Sequence, residues 1–127
     1  MPDRIQTLQL FIDYLKFEKR FSVHTIRAYH DDLIQFADYL ENQFDIHDIL
    51  KVESAFVRSW LASHKDTGHS SKTINRKIST LRSFYKFQIR QGAMLKSPMA
   101  NTVSLFLYNG NLVIVIWNLN SHKQEII

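Results

Sequence analysis

The chain of 127 residues contains no cysteine, and this absence excludes several classes of protein at once. Disulfide scaffolds, thiolate zinc sites and cysteine nucleophiles all require a thiol. Only three glycines and two prolines occur, and the glycines lie too far apart to form a loop that cradles nucleotide phosphates. No charged leader opens the chain, and no apolar run approaches the ~18 residues of a membrane span. The sequence therefore predicts a soluble cytoplasmic protein with no membrane partner.

The residue types that carry common catalytic chemistry are present but scattered. Six histidines occur, and no two of them stand four residues apart, as the zinc-binding pairs on helices do. The twelve acidic residues are dispersed, without the close pair of carboxylates that acid–base catalysis needs. We therefore predict no metal site, no cofactor and no catalytic residue in this chain.

Positive charge is concentrated in one segment. The formal net charge is only +4, and residues 1–63 contain more acidic than basic side chains. Residues 64–98, in contrast, carry Asp66 as their one acid against Lys65, Lys72, Arg76, Lys77, Arg82, Lys86, Arg90 and Lys96. Clustered like charge repels itself unless something neutralises it, so this segment predicts a polyanion that meets one face of the protein. A basic helix that is merely solvated is the plain alternative.

Hydrophobic periodicity predicts four helices between residues 3 and 98. The first runs from about Asp3, its N-cap, to Lys19, with Ile5 on its apolar face, and the second begins after the N-cap Ser22. The third lies near Glu53–His64 and is closed by Gly68. The fourth starts at Ser70 or Ser71 and stops at Gly92. The class predicted for residues 1–98 is therefore an all-α bundle of four to five helices.

The outward face of the fourth predicted helix is cationic. At 100° per residue, the side chains that fall opposite the apolar stripe are Lys72, Arg76, Ser79, Ser83, Lys86 and Arg90. Long cations suit phosphates, and short polar groups allow close approach to base edges. The first turn of the second helix adds backbone N–H groups that suit a phosphate. The predicted DNA contacts are Ser22, His24, Thr25, Arg27, Lys72, Thr73, Asn75, Arg76, Lys77, Ser79, Ser83, Lys86 and Arg90.

The character of the sequence changes after Pro98, so residues 99–127 are predicted to form a separate, atypical tail. Thr102–Tyr108 and Leu112–Leu119 are β-branched and aromatic runs on either side of Asn109-Gly110-Asn111. Asn-Gly between two such runs is typical of a β-hairpin. An isolated hairpin is marginal in water, so this one needs the helices or a second chain as a partner surface.

Two stretches carry a family pattern: Phe21–Tyr29, followed by Asp32-Leu33 and Phe36, and Ser79–Phe87. Both resemble the N-terminal core-binding domain of Xer-like tyrosine recombinases, the phage integrase family, and the similarity extends over about residues 3–98. The resemblance implies a SAM-like helical bundle that clamps one face of duplex DNA, with the second and fourth helices crossing the major groove. It also implies a role in site-specific DNA recombination or integration, with other recombinase protomers as partners.

Recombinases of this family cut DNA with a tyrosine in a separate C-terminal domain, for which we expect this chain to have no room. The segment His24-Thr25-Ile26-Arg27 spells their His-x-x-Arg motif, but it stands in the core-binding part, where the resemblance assigns it to a helix start. Tyr85 lies on the apolar face of the fourth predicted helix. The expected chain is therefore a double-stranded DNA-binding module without catalysis of its own.

A protein-interaction module is the competing hypothesis. In this interpretation the helices bind a partner protein, and the apolar tail forms a homodimer through residues 102–119. Phe87, which the helical spacing places on the outward side of the fourth helix, supports it.

Overall fold

The computed structural model describes residues 4–99, 101–108, 111–118 and 123–126, the last three ranges by their backbone. Four helices come first: α1 (Arg4–Phe17), α2 (Val23–Phe44), α3 (Ser54–Asp66) and α4 (Ser71–Arg90). Three strands follow: β1 (Asn101–Tyr108), β2 (Asn111–Asn118) and β3 (Lys123–Ile126). The predicted all-α class is confirmed across residues 4–99, and the predicted cap Asp3 lies outside the described residues. None of the helices in these ranges is long and apolar enough to cross a bilayer.

The first compact unit, Met1–Lys51, contains α1 and α2. Both helices bury apolar side chains at steps of three and four residues, as the periodicity predicts. The buried apolar side chains of the two helices are Leu8, Phe11, Leu15, Leu33, Phe36, Ala37 and Leu40. Ile5, predicted to face the core, is instead 74% exposed, and the first turn of α1 buries Thr7. The prediction was wrong there because Ile5 is rotated about 60° from Leu8, toward solvent.

The second compact unit, Val52–Ile127, contains α3, α4 and the sheet. α3 buries Val57, Trp60 and Leu61, as predicted. Gly68 has a φ of 84°, and the segment between α3 and α4 is short because this left-handed residue reverses the chain at once. α4 ends in the same way, with Gly92 at a φ of 79° and its N–H donating to the carbonyl oxygen of Ile89 at 3.0 Å.

β1 and β2 form the antiparallel pair that the tail sequence predicts. Asn101 lies opposite Asn118 and Tyr108 opposite Asn111, so two residues separate the strands. Those two, the Asn-Gly of the predicted turn, lie outside the described residues. β3 pairs antiparallel with the second half of β2, and the sequence analysis did not predict this strand.

Candidate nucleic-acid interface

α4 presents a cationic face to solvent. Its exposed cations are Lys72, Arg76, Arg82, Lys86 and Arg90. The helix contains no acidic residue, so no carboxylate lies three or four positions away on the same helix to offset this charge. From Lys72 to Arg90 the row extends over about 27 Å of helix axis. We call these five residues the α4 cation row.

Short polar side chains lie among the cations. Asn75 and Ser79 are exposed, and Thr73 and Ser83 are half-buried. Because these side chains are short, they leave room for a polyanion to approach the helix backbone between the long cations. The structure therefore brings Asn75, Ser79 and Ser83 onto the same side of α4 as the exposed cations.

The opposite side of α4 is packed into the second unit. Ile74, Leu81, Phe84 and Tyr85 are fully buried, and Thr80 donates its hydroxyl to the carbonyl oxygen of Arg76 at 3.0 Å. This hydrogen bond within α4 gives the buried Thr80 hydroxyl an acceptor. Tyr85 lies in the core, as the sequence analysis predicts.

Lys77 is the predicted contact that the fold does not expose. Its side chain is only 2% exposed, and its ammonium lies 5.4 Å from the ring centroid of Trp60 in α3. Lys77 follows Arg76 directly, so it is turned 100° away from the α4 cation row, toward α3. We therefore remove Lys77 from the contact surface.

The buried arc of α4 is wider than the apolar stripe predicted. Phe87, predicted to face outward, is buried with an exposed fraction of 7%, which removes its support for the protein-interaction hypothesis. Arg82, which the prediction left out of the contact set, is exposed. The signal for Arg82 is its spacing, because it stands three residues after Ser79 and four before Lys86.

The predicted contacts in α2 lie at its first turn, in the first unit. Ser22 is the N-cap: its Oγ accepts from the backbone N–H of Thr25 at 3.2 Å and donates to Thr25 Oγ1 at 3.0 Å. His24 and Arg27 are exposed beside this cap, and Thr25 is half-buried. The same cap occurs at the start of α4, where Ser70 accepts from the N–H of Thr73 at 3.2 Å. Ser22, Thr25 and Thr73 thus have a structural role in addition to any contact with a ligand.

We expect Ser22→Ala to lower the free energy of unfolding by about 1 kcal/mol, because the N–H of Thr25 loses its acceptor. Ser22→Asp should restore most of that stability, since a carboxylate caps a helix equally well. Urea denaturation of the two variants and the parent chain measures the difference. Equal stability of Ser22→Ala and the parent would contradict the capping role.

Features outside the predicted contacts could also mark a binding site in the described part of the chain. No group of three histidine, aspartate or glutamate side chains is close enough there to hold a metal ion. The first unit has an open cavity of about 400 Å³ lined by Arg4, Ile5, Leu8, Gln9, His30 and Ile34. None of the predicted contacts lines this cavity, so it does not extend the interface.

Comparison with known proteins identifies relatives over the helical part. The family model described as phage integrase, N-terminal SAM-like domain, matches residues 8–92. The chain is 39% identical over 94 residues to tyrosine recombinase XerC of Anoxybacillus flavithermus, covering 74% of this chain and 31% of that protein. It is 41% identical over 93 residues to XerC of Halalkalibacterium halodurans, covering 73% and 30%. The chain thus spans about a third of the length of these curated relatives. No solved structure matches significantly.

Proposed function

The chain belongs to the family of phage integrase N-terminal SAM-like domains, and from this premise we propose that it binds double-stranded DNA in site-specific recombination. The resemblance found in the sequence and the helical class that it implied are both confirmed by the family match and the four helices. The relatives are named tyrosine recombinases, and the match covers about 30% of their length. We therefore assign binding and positioning of DNA to the helices of this chain.

The observation that carries the proposal is the α4 cation row. Five exposed cations on one helix without an acidic residue create a positive surface whose natural ligand is a regular array of negative charges. Duplex DNA carries such an array, and each cation that meets a phosphate releases condensed counterions into solution. This release favours binding most strongly at low salt.

Base contacts are the second component of the proposal. Asn75 belongs to the side-chain types that form two hydrogen bonds with adenine in the major groove. It is exposed on the same side of α4 as the short Ser79. We propose that these side chains contribute selectivity, while the cations at the two ends of the row fix the position of α4 on the backbone.

The first turn of α2 supplies further phosphate contacts in this proposal. Its exposed Arg27 and His24 flank a capped helix start, where backbone N–H groups favour an anion. Other recombinase protomers are the protein partners that this function implies. The cytoplasmic location expected from the sequence remains a prediction, and it depends on the proposed binding of DNA.

The proposal predicts a strong salt dependence of DNA binding. With four to six phosphate contacts, the slope of log K against log salt should be about −4 to −5. Titration of a labelled duplex with the full chain at several salt concentrations measures this slope. A slope near zero, or no binding to any duplex at low salt, would disprove the proposed function.

Dimerisation through the tail is a second candidate, supported by one observation. β3 pairs only with Val115–Asn118, so residues 111–114 of β2 have no strand on that side among the described residues. A strand of a second chain could pair there. If it does, the full chain sediments as a dimer and a version that ends at Met99 as a monomer. Two monomers at high concentration would rule this candidate out.

A further inference from the structure

Arg76 and Lys77 are neighbouring cations of α4, and their sequence does not show which of the two faces solvent. Neighbouring residues on a helix point 100° apart, so only one of these two cations can face outward with Ser79 and Lys86. Both are long, charged and able to bind a phosphate. The structure exposes Arg76 and buries Lys77. Contacts within the second unit therefore determine which of the two faces outward.

The feature that holds Lys77 inward is an aromatic ring of α3. The ammonium of Lys77 lies 5.4 Å from the ring centroid of Trp60, and both residues are 2% exposed. A cation at this distance is attracted by the negative face of an indole, and the attraction is stronger where water is excluded. Burial of an ammonium is costly unless other groups compensate its charge, and the indole ring supplies part of that compensation.

Trp60 also connects α3 to the start of α4. The His64 ring meets the Trp60 ring edge-on with centroids 4.6 Å apart, and the His69 ring meets the His64 ring at 5.0 Å. His69 directly precedes Ser70, the N-cap of α4. α3 therefore makes contact at two places: with His69, immediately before the N-cap of α4, and about two turns further along, with Lys77 of α4 itself. Two fixed points determine both the axial position and the rotation of a helix.

We propose that Lys77 is a positioning residue: by seating its ammonium on Trp60, it fixes the rotation of α4 so that Arg76 and the rest of the α4 cation row face DNA. This inference rests on the proposed function and deepens it. Lys77 itself does not touch DNA. Its charge adds a directional contact to the apolar packing of α4, because the ammonium is attracted to one face of the Trp60 ring, whereas an apolar side chain of the same length has no such preference.

The test uses the full chain and a duplex that the parent protein selects from a random-sequence pool. The variants are Lys77→Met, which keeps the length but not the charge, Lys77→Arg, which keeps the cation, Trp60→Phe, and the double variant Lys77→Met/Trp60→Phe. Lys72→Met is the matched control, because Lys72 is an exposed cation of the same helix. Thermal unfolding and duplex affinity at several salt concentrations are measured for each.

We expect Lys77→Met to remain folded at the temperature of the binding measurement, because methionine keeps the length of the buried side chain, and yet to bind the duplex about tenfold more weakly. Lys77→Arg should bind within about twofold of the parent. Trp60→Phe should weaken duplex binding although it removes no charge. The double variant should bind the duplex as well as the weaker-binding of the two single variants, as expected for residues that act through each other. Lys72→Met should instead lower the salt slope by about one.

Three results would overturn the inference. Lys77→Met with parent affinity would show that the rotation of α4 does not depend on this charge. An affinity loss that only follows a loss of folded protein would make Lys77 a structural residue. A salt slope reduced by about one in Lys77→Met, together with parent affinity in Trp60→Phe, would make Lys77 a direct phosphate contact. The comparison of Lys77→Met with Lys77→Arg decides the matter if Trp60→Phe does not fold. If the parent chain retains no duplex, the proposed function fails as well, so the two failures are distinguishable.

Discussion

Leu81→Ala is expected to lower the free energy of unfolding by about 2–5 kcal/mol. Leu81 is fully buried in the middle of α4, on the side opposite the exposed Ser79. Truncation removes three carbon atoms from the core and leaves a cavity that the neighbouring Ile78 and Tyr85 cannot fill without moving. The loss is large compared with the 5–15 kcal/mol by which domains of ordinary size are stable. Urea denaturation followed by circular dichroism measures it.

The matched control for this change is Ser79→Ala, two residues away on the exposed side of the same helix. It should change the free energy of unfolding by no more than about 0.5 kcal/mol. Leu81→Ala should retain DNA affinity at a temperature where it is fully folded, because Leu81 lies on the side away from the α4 cation row. Parent stability of Leu81→Ala would mean that this side of α4 is not packed against a core.

The ends of the helices could be predicted from the sequence because local chemistry determines them. Ser22 and Ser70 begin helices since their hydroxyl oxygens accept from backbone N–H groups that no carbonyl can reach. Gly92 ends α4 because the chain there adopts a φ of 79°, which other residues rarely take. Such signals need no knowledge of the rest of the fold.

The rotation of α4 could be predicted only in part, because it depends on residues far away in the sequence. Periodicity separates an apolar from a cationic side, and Arg76, Lys86 and Arg90 are exposed accordingly. It does not reveal that Trp60 offers a surface for an ammonium, and so Lys77 was assigned to the wrong side. Phe87 was assigned wrongly because the buried arc extends further around the helix than the apolar stripe does.

The tail shows the same division between local and long-range determinants. The antiparallel pairing of β1 with β2 follows from two β-branched and aromatic runs separated by a hairpin signal. β3 was missed because Lys123–Ile126 is short and three of its four residues are polar, and its place depends on the register with Val115–Asn118. A short strand that does not follow its partner through a tight turn is hard to predict from its own residues, because strand propensity depends on the neighbouring strand.

The double variant Arg76→Ala/Lys86→Ala is expected to show the largest loss of DNA affinity among single-helix changes. The two residues lie ten positions apart on the exposed face, about 15 Å along the helix axis. A major groove is about 12 Å wide, so the two side chains can reach phosphates on its opposite walls. At 0.1 M salt each phosphate contact contributes roughly eightfold to affinity, which predicts a combined loss of about sixtyfold. The magnitude of the salt slope should fall by about two in the double variant and by about one in each single variant.

Lys16→Ala/Lys51→Ala is the matched control, because it removes the same total charge from exposed positions outside the proposed interface. It should bind within about twofold of the parent chain, since neither lysine belongs to the proposed phosphate contacts and counterions are released only where a cation meets a phosphate. Both double variants should unfold like the parent, because all four positions are exposed. If Arg76→Ala/Lys86→Ala binds no more weakly than this control, the charge of the protein as a whole, and not the face of α4, holds the DNA.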